Sequence, residues 1–109
     1  MDDVGVVFAA LADATRRRIV EVLHDHESTV GALADELGLG APTVSKHLTV
    51  LERAGLVTRQ RDAQRRVCRL ESTGFTSLAE WSRRYERFWA DSLDGLDDYL
   101  TSLDAEAAR

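Results

Sequence analysis

A chain of 109 residues predicts a single domain with one core, and 44% apolar with 30% charged residues excludes wholesale disorder. Cys68 is the lone cysteine, no apolar run reaches the ~18–20 residues of a membrane span, and Met1-Asp2-Asp3 lacks a signal peptide's basic head; a disulfide framework and a membrane partner are excluded, and the expected setting is cytoplasmic. The net charge of −5 excludes a uniformly basic nucleic-acid binder, so any attraction for phosphate must be local.

In chain order, the apolar spacing of Val4, Val7, Phe8 and Leu11 predicts a short helix up to Ala12. Asp13 is placed to cap a second helix through the amide of Thr15 or Arg16. In that helix Ile19, Val20, Val22 and Leu23 form the inward stripe. Arg16, Arg17 and Arg18 fan outward, with at least one expected to pair with a carboxylate, and the helix fades between His24 and Glu27. Thr29 caps a third helix carrying Val30, Leu33, Ala34 and Leu37, and Gly38 is its left-handed stop. A fourth helix begins near Ala41, with Pro42 in its first turn, where a missing N–H does no harm. Its apolar stripe is Val44, Leu48 and Leu51, ending at Ala54-Gly55. At 100° per residue, Pro42, Ser45, Lys46, Thr49 and Arg53 point away from that stripe. Two short helices joined by a tight glycine-bearing turn, the second polar on its free face, form a helix-turn-helix.

The period then becomes two. Residues 56–61 and 65–70 read as strands about Asp62-Ala63-Gln64, a β-hairpin without a strong turn signal. Residues 56–70 carry Arg59, Arg61, Arg65, Arg66 and Arg69 against Asp62 alone, a local charge of +4, while the flanking segments hold −4 and −5. A basic hairpin behind a helix-turn-helix is a wing. In its second strand Cys68 reads as a small buried hydrophobe.

From Ser72 to Leu103 the pattern is helical, capped at Ser72 or Thr73. Trp89, Leu93, Leu96, Leu100 and Leu103 step by 4, 3, 4 and 3, with Gly95 a candidate bend or break. An unbroken helix of this length, about 48 Å at ~1.5 Å per residue, would overhang a small core. Its rings and leucines call for a partner surface, most economically a second copy of the chain.

Several runs carry a resemblance to a known family. They are Leu11-Ala12-Asp13-Ala14-Thr15-Arg16-Arg17-Arg18-Ile19, Val30-Gly31-Ala32-Leu33-Ala34, Pro42-Thr43-Val44-Ser45-Lys46-His47-Leu48 and Leu51-Glu52-Arg53-Ala54-Gly55-Leu56-Val57. Over residues 5–70 the chain resembles the ArsR/SmtB family of bacterial winged-helix repressors. Tyr85-Glu86-Arg87-Phe88-Trp89 and the leucines that follow are similar to its SdpR-like subgroup without metal sites. Ala14 stands where the family usually has proline and Gly40 where serine commonly caps; glycine is an acceptable cap.

The resemblance implies a mainly α fold with a small β-hairpin, a winged helix-turn-helix with helices at both termini forming a homodimer interface, and a near-palindromic operator in double-stranded DNA. One domain is expected over 1–109, with a core at 4–70, a wing at 56–70 and dimerisation helices at 72–103. The interface would use Val4, Val7, Phe8 and Leu11 with Leu78, Trp81, Tyr85, Phe88, Trp89, Leu93, Leu96 and Leu100.

In this architecture the fourth helix enters the major groove N-terminus first, with Pro42 in its leading turn. Thr43, Ser45, Lys46 and Thr49 are the base-edge candidates, by the donor and acceptor logic of that groove. His47, on the flank of the stripe, either positions a phosphate or braces the helix. Arg53, Arg59, Arg61, Arg65 and Arg66 are phosphate candidates, setting affinity and salt dependence. Where the family's thiolate site has cysteines stand Thr29 and Gly31, and no histidine follows His47, so neither metal nor cofactor is expected. Asp91, Asp94, Asp97 and Asp98 read as a solvated face. No nucleophile triad, phosphate loop or His/Glu cluster points to an enzyme. The competing function is a winged-helix protein-interaction module using the aromatic C-terminal helix. The sequence names neither the operator nor a small-molecule effector.

Overall fold

The computed structural model describes residues 2–107. Helix α1 (Asp3–Leu11) starts at Asp2, whose carboxylate accepts from the Gly5 amide at 2.9 Å. Helix α2 (Ala14–Asp25) starts at Asp13, which accepts from the Arg16 amide at 3.0 Å, the cap that its sequence position predicted. Strand β1 (Ser28–Thr29) leads into α3 (Val30–Leu37), capped by Thr29 through the Ala32 amide at 3.1 Å. Gly38, at φ 68°, ψ 34°, turns the chain out of α3 towards α4 (Ala41–Arg53). That left-handed conformation is the one a side chain resists, which places a glycine at the turn of the helix pair.

The remaining elements are β2 (Val57–Asp62), β3 (Arg65–Leu70), α5 (Ser72–Arg83) and α6 (Glu86–Ala107). The sheet has the order β1-β3-β2 and is antiparallel throughout. The hairpin is thus the expected one with a third strand added. Ser28 pairs with Cys68 and Thr29 with Val67, a two-residue strand too short to leave an alternating pattern in the sequence. The turn is also tighter than expected: Asp62 pairs with Arg65, so only Ala63 and Gln64 are unpaired, with Ala63 at φ 56°.

Contacts divide the chain after Leu78 into two compact units. In the first, Ile19, Leu23, Leu33, Val44, Leu48, Leu51, Leu56 and Cys68 form a continuous buried core, with Val20, Val22, Leu11, Phe75 and Leu78 packed partly exposed against it. Val7, expected on a partner surface, belongs to this core at 1% exposure, and Leu11 and Leu78 also lean on it. The exposed member of α1 is Phe8. Burial pushes the Cys68 thiol up, so it stays protonated and packs as a hydrophobe, as its strand position predicted.

Gly74, in the first turn of α5, lies directly against the end of α4: its amide donates to Gly55 O at 2.7 Å. A Cβ there would lie 2.4 Å from Ala54 O and 2.9 Å from Leu56 Cδ2. The expected cap at Ser72 or Thr73 is replaced by Glu71, whose Oε1 accepts from the Thr73 amide at 3.2 Å and the Thr73 hydroxyl at 2.6 Å.

In the second unit the helical run breaks at Arg84-Tyr85, and Gly95 lies inside a continuous α6. No proline or glycine marks the break. Tyr85 N bonds Ser82 O at 3.0 Å, a tightened final turn, and the Trp89 indole N–H donates to the same carbonyl at 3.2 Å. Phe88 is 76% exposed, and Leu93, Leu96, Tyr99, Leu100 and Leu103 are exposed along α6.

Gly74→Ala is expected to destabilise the protein by about 1–3 kcal/mol, because the clash is with main-chain atoms that cannot swing aside; urea unfolding measures it. A second prediction concerns acid. Thr73 holds the Glu71 carboxyl below its ordinary range through its hydroxyl and amide, and the Arg16 amide does the same for Asp13. With folded values below unfolded ones, the unfolded chain binds more protons in the carboxylate range, so this stabilisation is present above that range and fades as pH falls through it. The double variant Asp13→Asn, Glu71→Gln should therefore show a flatter loss of melting temperature on acidification than the parent.

Candidate nucleic-acid interface

The orientation of α4 is set by what it buries. Val44, Leu48 and Leu51, at i, i+4 and i+7, are all fully buried. Their burial turns the remaining face outward: Pro42, Thr43, Lys46 and Arg53 are exposed, and Ser45, His47 and Thr49 are half-buried along its margins. The helix begins at Gly40, which offers no side-chain cap, and Pro42 in its first turn brings no N–H that needs one. With the partial positive charge of a helix N-terminus, this end favours an anion.

The hairpin brings arginines to the same region. Register pairs Arg61 with Arg66 and Arg59 with Cys68. A cleft of about 560 Å³ runs between Thr29, Ala41, Pro42 and Ser45 on one side and Arg59, Arg65 and Arg66 on the other. Arg61, Arg65 and Arg66 are exposed. The sites singled out from sequence on α4 and the wing are thus brought together, with one difference in kind. Arg59 is not an outward cation. Its side chain is 13% exposed and lies on α4: Nε and Nη2 reach Glu52 Oε1 at 2.7 and 2.5 Å, Nη1 donates to Ser45 Oγ at 2.9 Å, and Nη2 to Thr49 Oγ1 at 2.9 Å.

Glu52 is the residue that sequence reasoning passed over. A signal existed, since Ser45, Thr49 and Glu52 stand at i, i+4 and i+7 and so share one stripe of α4. A carboxylate on the margin of this polar face asks for a cation, and Arg59 of the hairpin supplies it.

A second side chain reaches α4 from below. Arg16 donates through Nε to Ala10 O at 2.6 Å and through Nη2 to Ala9 O at 3.2 Å, and Arg17 donates to Leu11 O at 2.6 Å. Arg16 has the carboxylate of Asp13 as a charge partner, and the arginine run adds contacts to carbonyls at the end of α1, which otherwise has no basic residue in its last turn. Arg16 Nη1 also lies 3.4 Å from His47 Nδ1. Arginine can only donate, so in this contact Nδ1 is the acceptor, a role that the Nε2–H tautomer fills. His47 is therefore braced by Arg16.

A half-buried arginine clamp, a helix with a free polar face and an exposed basic hairpin define a winged helix-turn-helix DNA-binding protein. The family description "Helix-turn-helix domain" matches residues 11–60. The chain is 42% identical over 97 residues to the HTH-type transcriptional regulator Rv2034 of Mycobacterium tuberculosis, covering 89% of this chain and 85% of that one. It is 31% identical over 75 residues to the transcriptional repressor SdpR of Bacillus subtilis, covering 69% and 83%. Among solved structures it is similar to the homodimeric winged helix-turn-helix DNA-binding domain Mb0332 of Mycobacterium bovis, described as a possible ArsR-family regulator. That likeness has a TM-score of 0.65 at 28% identity and covers 78% and 82% of the two chains. The chain belongs to the ArsR family of winged helix-turn-helix transcriptional regulators. Among the described residues, no helix is long and apolar enough to cross a membrane.

The Arg16 contact can be checked directly. Nitrogen chemical shifts of His47 at neutral pH should report the Nε2–H tautomer, and Arg16→Met should return the ring to a tautomer mixture.

Proposed function

We propose that the chain is a cytoplasmic homodimeric repressor that binds a near-palindromic operator without metal or cofactor. In this reading residues 1–109 act as one regulator. Residues 4–70 read DNA, with the wing at 56–70, and the helices at 72–103 join two copies. The observation that carries the proposal is the exposed polar face of α4, with Pro42, Thr43, Lys46 and Arg53 outward, together with the exposed Arg61, Arg65 and Arg66 of the wing, which share clefts with Pro42, Ser45 and Glu52 of that helix. Lys46 suits guanine O6 and N7, and Thr43 and Ser45 suit either kind of base edge. Arg53, Arg61, Arg65 and Arg66 suit phosphates. His47, half-buried on the margin of this face, suits a phosphate oxygen or braces the helix.

The exposed rings and leucines of the second unit, including Tyr85, Phe88, Trp89, Leu93, Leu96 and Leu100, support a second copy as their cover. The homodimeric relative from Mycobacterium bovis supports the same assembly. The work of the protein is then binding rather than catalysis, with half-sites about 34 Å apart.

A gel-shift titration against the gene's own promoter tests this. Preferential binding over random duplex is expected. Affinity should fall by about 1,000-fold or more between about 50 and 200 mM salt. Lys46→Glu or the pair Arg65→Glu, Arg66→Glu should abolish the shift, while sedimentation still finds a dimer at micromolar concentration. Equal affinity for random duplex, or single chains only, would contradict the proposal.

A further inference from the structure

Arg59 looks from sequence like one more phosphate contact, but hydrogen-bond accounting gives it a different task. The guanidinium has donors only. Its charge is offset by Glu52, and two of its N–H groups are directed at the Oγ atoms of Ser45 and Thr49. Thr49 Oγ1 also gives its one proton to Ser45 O at 3.1 Å. The Thr49 hydroxyl has therefore both donated and accepted within the protein, and what it has left for a ligand is chiefly its methyl group. Ser45 Oγ accepts from Arg59 and retains its single proton, on the wall of the cleft it shares with Pro42, Arg65 and Arg66.

We infer that Arg59 is a positioning residue that fixes the chemical polarity of the DNA-reading helix: it presents Ser45 to the major groove as a hydrogen-bond donor and Thr49 as a methyl. Without the clamp, each hydroxyl can donate or accept and so tolerates every base. With it, one lone pair of Ser45 Oγ is taken by a cation and its proton is free, which biases Ser45 toward an acceptor edge, such as guanine O6 or N7, adenine N7 or thymine O4, while Thr49 favours the thymine C5 methyl. A wing residue thus sets base preference without touching a base. This inference rests on the DNA-binding reading above.

The test starts by selecting duplexes from a randomised library with the unmodified protein. Affinity for the selected duplex and its single-base variants is then measured by fluorescence anisotropy across a potassium chloride series. The main variant is the pair Arg59→Met, Glu52→Gln, which leaves the summed charge of the two positions at zero. It should lose about tenfold of discrimination at the acceptor position while the slope of log affinity against log salt is unchanged. Ser45→Ala should lose the same discrimination, and adding it to the pair should cost nothing more. Thr49→Val, which keeps a methyl and removes the hydroxyl, should keep the preference for thymine. The inference is overturned if the pair variant retains base preference and its salt slope drops by about 0.9 per lost phosphate contact. It is also overturned if Thr49→Val costs about tenfold in preference. If circular dichroism shows the pair variant unfolded, Ser45→Ala and Thr49→Val decide the matter on their own surfaces. An unmodified protein that selects no sequence overturns the functional reading and this inference with it; one that selects a sequence and fails the variant tests overturns the inference alone.

Discussion

The burial of three side chains, Val44, Leu48 and Leu51, fixes the rotation of α4 about its own axis, and the site follows from that rotation. A helix turned by one residue, 100°, would hide Lys46 or Ser45 and expose an aliphatic stripe. The core beneath is built from α2, α3 and β3 as well as α4, so the direction in which the polar face is presented is set by packing that is dense and intolerant of shifts. Polar residues on a buried-faced helix need no special arrangement to be outward. They need only the opposite face to be held.

Two arginines refine this frame from opposite directions. Arg59 comes from the wing and ties Ser45, Thr49 and Glu52 along one stripe of α4. Arg16 comes from α2, closes the carbonyl end of α1 and touches His47. Both are part-buried, and both have every strong contact inside the subunit. On α4 and the hairpin the cations left exposed are Lys46, Arg53, Arg61, Arg65 and Arg66, a local concentration of positive charge on a chain of net charge −5. Division among cations of one type is therefore a matter of neighbours: the same residue is a clamp when a carboxylate and two hydroxyls surround it, as at Arg59, and an exposed charge elsewhere, as at Arg65 and Arg66.

Much of the architecture was legible because its signals are local. Asp13 and Thr29 cap the helices they precede, Gly38 makes the left-handed turn, and the 3.6-residue stripe of Val44, Leu48 and Leu51 together with the two-residue alternation after Gly55 gives helix and hairpin. What escaped involved partners far apart in the chain. Strand β1 exists only because Ser28 meets Cys68, and Val7 is core only because α1 lies against α2 and α4. The break at Arg84-Tyr85 has no breaker residue; it is closed by a tryptophan reaching back seven positions.

Sequence by itself determined the order of elements, the family and the set of side chains from which a DNA-reading surface can be made, because periodicity, caps and motif spacing are properties of neighbours along the chain. Tertiary structure decided which of those side chains are free. Arg59 and Arg16 carry the same charge as Arg65 and Arg66 in any sequence-level account, and only the positions of Glu52, Ser45, Thr49 and the α1 carbonyls in space turn the first two inward.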